Sequence, residues 1–137
     1  MKRQSWFYSA PHIDLGLLFL RLAGSFMLLY VHGMPKILHY TNELAHIEDP
    51  FGLGPSLSLW AAIFAEVVCP IAIVLGVATR LACLPIIAVL LIAMLAVHPD
   101  WTVAEGQFGW LLLIIFMTIG LCGPGRWGLL PPKTKET

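Results

Sequence analysis

Charge is what this sequence has least of. Only 12% of its 137 residues are Asp, Glu, Lys or Arg, against about 25% in soluble globular domains. That deficit excludes a disordered tail and an ordinary soluble enzyme domain, which both need a well-solvated surface. The few charges also lean neither way, at 8 basic and 8 acidic, so no basic face for nucleic acid is expected. Cysteine is scarce too. Cys69, Cys83 and Cys122 lie singly in apolar runs, without a Cys-x-x-Cys pair or a zinc spacing. They read as small core residues and not as a disulfide framework. A Gly-X-Y repeat and a heptad are both absent, which excludes collagen-like and coiled-coil fibres. There is no dithiol motif, nucleotide loop, internal repeat or low-complexity segment, so a self-sufficient enzyme is not expected.

Apolar residues are what the chain has in excess, at 58%, with a mean hydropathy of +0.83. A bilayer core of about 30 Å is crossed by about 20 apolar residues in a helix. Four stretches approach that length, at about 15–33, 57–78, 81–98 and 103–122, and the third has no charge between Leu81 and Val97. The expected fold is all-α. It is a four-helix transmembrane bundle forming one domain over 1–137, with a tail over 123–137. The connector from Gly76 to Arg80 is so short that helices two and three must be antiparallel neighbours.

Lys2 and Arg3 resemble the start of a signal peptide. Pro11, His12, Asp14 and Arg21 interrupt that pattern, however, and no small-x-small cleavage site follows. The first apolar run is therefore read as a retained helix. Lys2, Arg3, Arg80, Arg126, Lys133 and Lys135 fall on one side of an even number of spans, and only Lys36 on the other. The positive-inside rule then puts both termini in the cytoplasm and the long first loop outside a plasma (inner) membrane. Trp6, Trp60, Trp101, Trp110 and Trp127 mostly fall near the span ends, as an aromatic belt does.

In the loop from His32 to Ser56, Ile37, Tyr40, Leu44 and Ile47 recur at helical spacing. This predicts a short amphipathic helix on the outer surface, between helices one and two. His39, Glu43 and His46 share its other face. They are metal-ligand candidates, although a solvated polar face explains them more simply than zinc does.

Ionisable groups inside the hydrocarbon cost about 2.5–3.5 kcal/mol each on insertion scales, so each needs a partner or a use. Arg21 and Glu66, counted inward from opposite ends of their helices, come to similar depths. They are expected to form an intramembrane pair, structural or functional. Arg21, Ser25, Leu28, His32 and Lys36 form one stripe on helix one. Its outer end, with His98 and Glu105, is expected to converge at the outer interface. Such a cluster suits hydrogen bonds to a quinone head group, with Glu105 or Glu66 handling protons. Haem or metal ligation by His32 and His98 is the less favoured use, and simple helix capping the structural one.

In order and spacing, these motifs resemble the DoxX family of small four-helix integral membrane proteins. The residues that carry the likeness begin with Arg21, His32-Gly33-Met34-Pro35-Lys36-Ile37 and Glu66. They continue with Leu75-Gly76-Val77-Ala78-Thr79-Arg80, Met94-Leu95-Ala96-Val97-His98, Glu105 and Gly123-Pro124-Gly125-Arg126. The likeness runs from about Leu15 to Leu129. The family's final glycine-arginine segment often carries an aspartate, and here Trp127-Gly128-Leu129-Leu130 stands instead. The resemblance implies a subunit of a quinone-linked membrane oxidoreductase, with Arg21, His32, Lys36, Glu66, His98 and Glu105 as its site. The alternative it implies is a non-catalytic anchor, assembly factor or chaperone that docks other membrane proteins. Partners are then the bilayer and other membrane or redox proteins, and no nucleic acid. The small-residue helix faces leave a homo-oligomer open.

Overall fold

The computed structural model describes residues 12–130, and all regular structure within them is helical. Lys2, Arg3, Trp6, Lys133 and Lys135, used above for orientation, lie outside the described residues.

Three helices are long and apolar enough to cross a membrane: α1 (Ile13–Leu38), α3 (Pro55–Leu75) and α4 (Thr79–Val97). A short helix, α2 (Tyr40–His46), lies between the first two. The apolar α5 (Gln107–Cys122) is shorter than the other three. These bounds revise the expected ones mainly at α1, which continues beyond Gly33 to Leu38 and so takes Lys36 into the helix. At α5, the turn over Val103–Gly106 remains outside the helix.

Helix α1 packs on α3 and α5, and α4 packs on both α3 and α5. The main core joins Leu28 of α1, Cys69 and Ile73 of α3, Cys83 and Ile86 of α4, and Phe116 and Ile119 of α5. Cys69 and Cys83 are thus the small core residues expected, whereas Cys122 is exposed at the end of α5. A second cluster, Leu59, Ile63 and Val67 of α3, is covered by Tyr40 and Leu44 of α2 and by Ile47. Ile37, expected on the same apolar face, is exposed instead. The helix breaks at His39 (φ −120°, ψ 39°), which rotates the two segments relative to each other.

Three of the helices contain one wide π-turn: Leu29–Gly33 in α1, Phe64–Val68 in α3 and Ala93–Val97 in α4. Each turn ends two residues before a proline, at Pro35, Pro70 and Pro99. Proline has no N–H to donate and its ring collides with the carbonyl four residues back. Widening the preceding turn relieves that collision and reassigns its hydrogen bonds, as in Met34 N–H to Leu29 O and Cys69 N–H to Phe64 O.

Candidate functional site

The π-turns of α1 and α3 pack against each other, and they do so through a glycine. A Cβ on Gly33 would run into the main-chain carbonyl of Glu66. Pro70, four residues on, has no N–H to offer that carbonyl. Close contact at this point brings the next turn of α1 level with the Glu66 side chain. Lys36 Nζ lies 2.7 Å from Glu66 Oε2 and also donates to the His32 carbonyl at 3.1 Å.

The pair is well shielded, with side chains 15% (Lys36) and 9% (Glu66) exposed. Glu66 Oε2 has the ammonium as its charge partner but no aligned hydrogen bond. Lys36 has three N–H donors; it donates to His32 O, and its ammonium is ion-paired with Glu66. The half-buried His32 ring lies within electrostatic reach of both charges. The site therefore brings together a carboxylate, the ammonium paired with it and an imidazole. Such a set can hydrogen-bond a small carbonyl or hydroxyl compound and exchange a proton with it.

Arg21 is not part of it. Glu66 contacts α1 at Gly33, twelve residues beyond Arg21, which is about 18 Å along the helix. The expected Arg21–Glu66 pair does not form, because depths counted from assumed helix ends misplaced their register. Arg21 is instead wholly buried against the C-terminus of α3. There its Nε donates to Ile73 O and its Nη2 to Val74 O, each at 2.9 Å. Its Nη1 reaches Pro124 O and Trp127 O in the segment after α5, also at 2.9 Å.

The last four carbonyls of a helix have no intrahelical partner, and at α3 each one finds another. Val77 N–H bonds Ala72 O and Gly76 N–H bonds Ile73 O, which is a Schellman cap. Arg21 serves Ile73 and Val74, and Leu129 N–H serves Leu75. Gly76 is needed twice over, for its left-handed φ of +73° and because a Cβ would crowd Gly128 and the Arg21 guanidinium. A cation here also complements the negative end of the helix dipole.

The other expected site residues make local contacts. His98 stacks on Trp101, with ring centroids 3.8 Å apart. Glu105 accepts from Thr102 N–H at 2.7 Å and Thr102 Oγ1 at 2.9 Å, while its own N–H points back to Thr102 Oγ1 at 3.3 Å. This is a reciprocal capping box. These bonds hold the Glu105 carboxyl below its ordinary pKa, the Thr102 N–H contributing most. His46 Nδ1 contacts Asn42 O at 2.8 Å. Among the described residues, no group of His, Cys, Asp and Glu, including His39, Glu43 and His46, gathers to hold a metal ion.

Asp49, which the sequence offers as a further metal-ligand candidate at the start of a turn-rich entry into helix two, instead organises the approach to α3. Its carboxylate accepts from Leu53 N–H, Gly54 N–H and Ser58 Oγ. Its pKa is lowered, chiefly by the Gly54 N–H. The turn-rich reading of Asp49-Pro50-Phe51-Gly52 agrees with this, since an aspartate opening such a turn commonly bonds the backbone a few residues on.

The family model for DoxX matches residues 16–99, more than half of the chain. The matched part holds Arg21, the Gly33 contact, the Lys36–Glu66 pair and His98, and it stops short of Glu105 and the Gly123–Arg126 segment. No curated protein and no solved structure matches the chain significantly.

Proposed function

This chain belongs to the DoxX family, and from that premise we propose that it is the integral membrane subunit of a redox complex. In this reading it binds a quinone, or a similar small apolar molecule, where the π-turns of α1 and α3 meet. The observation that carries the reading is the shielded Lys36–Glu66 pair, whose Oε2 has no aligned hydrogen bond. An intramembrane ionisable residue is by default a functional candidate, and π-turns are frequent at functional sites. Oxidation of a quinol releases two electrons and two protons; the electrons would pass to a partner redox protein, and the protons would leave one at a time through Glu66. Ionised Glu66 is placed to take a proton from a hydroxyl, while Lys36 and His32 orient the oxygen beside it. Once Glu66 is neutral, Lys36 loses its counter-charge, which favours passing the proton on.

The bundle is proposed to sit in the plasma membrane with both termini cytoplasmic, on the lysine and arginine placement described above. Helix α2 is proposed to lie at the outer face, covering the outer half of α3. A second reading, a non-catalytic anchor or assembly factor, is favoured by a separate observation. Two grooves of the described residues are almost purely apolar, and His32, Lys36 and Glu66 line neither.

Saturable quenching of tryptophan fluorescence by a short-chain benzoquinone, with the purified protein in nanodiscs, tests the proposal. We expect binding that falls at least tenfold in Glu66→Gln while the α-helical circular dichroism is kept. Equal binding by parent and variant would remove the pair from the function and leave the anchoring reading.

A further inference from the structure

Arg80 is the one charged residue lining either groove, and it has no acidic partner among the described residues. It stands in the first turn of α4, which holds no acidic residue. A cation at that end opposes the helix dipole. Helix α4 begins after Ala78 (φ +46°) without a side-chain cap, so the N–H groups of its first turn are left over. The hydroxyl of Thr79 is buried without a hydrogen-bond partner and lines neither groove, so the N–H groups and Arg80 are what this helix end presents. Unspent donors and a lone guanidinium at one helix end call for an anion.

The two apolar grooves start at the same place. One, of about 440 Å³, runs from Arg80 between α4 and α5 past Ile87 and Met117. The other, of about 600 Å³, runs between α3 and α4 from Ala78 towards Phe64. They share Leu81 and Leu84, two exposed residues that form a ridge between them. We propose that this is a binding site for one anionic diacyl phospholipid. The phosphate would sit at Arg80 and the start of α4, with one acyl chain on each side of the Leu81–Leu84 ridge. Charge selects the head group, and the paired apolar grooves select a two-chain lipid over a free anion. The proposal rests on the membrane character of the chain and not on its quinone reading.

Native mass spectrometry and thermal unfolding of the full chain in neutral detergent test it, with added phosphatidylglycerol, phosphatidylcholine or inorganic phosphate. We expect one phosphatidylglycerol to be retained at least tenfold more strongly than phosphatidylcholine, with a raised Tm. Arg80→Gln should abolish that preference and Arg80→Lys largely keep it, which separates loss of the charge from loss of the fold. Equal retention of both lipids, or an unchanged preference in Arg80→Gln, overturns the proposal. So does equal stabilisation by inorganic phosphate, because the grooves would then contribute nothing.

Discussion

Lys36 Nζ lies 2.7 Å from Glu66 Oε2, so the cation that neutralises the carboxylate of α3 comes from the last turns of α1. Arg21, the other cation on the same stripe, bonds main-chain carbonyls only. The two cations of one helix face therefore have separate tasks. One is part of a shielded ion pair, and the other ties together three stretches of backbone.

Breaking a buried pair leaves its survivor charged and unpartnered, which costs about 3–5 kcal/mol, whereas removing both members can be nearly neutral. Glu66→Gln and Lys36→Met should each lower the Tm in detergent, and the double variant should recover most of the loss. Additive losses in this double-mutant cycle would show that the two side chains do not interact.

Arg21→Met should destabilise by about 3 kcal/mol or more, since hydrogen bonds to charged groups contribute about 1.5–3 kcal/mol each. Arg21→Lys should rescue little of this, because one ammonium cannot reproduce the planar fork. The segment after α5 should also become open to proteolysis near Trp127 in both variants, as it loses its anchor at Pro124 and Trp127. A lysine variant with parental Tm and protease resistance would contradict this account of the site.

How much of this was legible in the sequence depends on the range of each interaction. The charge-free run from Leu81 to Val97 marked α4, a helix apolar and long enough to cross a membrane, and the interior stripe on α1 correctly buried Arg21, Ser25 and Leu28. The partner of Glu66 was not legible, because it depends on register between helices. That register is set by Gly33 against the Glu66 carbonyl, a contact no spacing along one chain reveals. The π-turns had a signal in Pro35, Pro70 and Pro99, two residues past each turn. A proline alone does not specify whether the preceding turn widens or the helix kinks or ends. Thr102-Val103-Ala104-Glu105 fits the capping-box pattern, which would have assigned Glu105 a local task.

Gly33→Ala should cost about 1–3 kcal/mol, the usual range for overpacking, because the added methyl meets the Glu66 backbone. Gly16→Ala offers a control, since nothing lies within 4 Å of a Cβ there. Its expected effect is neutral or slightly stabilising. Similar destabilisation by both would mean that the α1–α3 contact is not close.

Asp49 gives the outer loop a pH dependence. Its folded pKa lies below the ordinary carboxylate value, mainly because of the Gly54 N–H. Its contribution to stability is therefore complete above the unfolded pKa of about 3.9 and is lost as pH falls through the lower folded value. Asp49→Asn should flatten the acid side of a Tm-against-pH curve between about pH 5 and pH 2. An unchanged acid limb would remove Asp49 from that role.

The most direct test of the central claim is to map a photoreactive quinone on the protein in nanodiscs by peptide mass spectrometry. The account predicts competable labelling of the peptides bearing His32–Lys36 and Ala65–Val67, with a marked loss in Glu66→Gln. Labelling confined to Leu81–Ile87 and Met117–Leu121, or none that unlabelled quinone competes away, would contradict it.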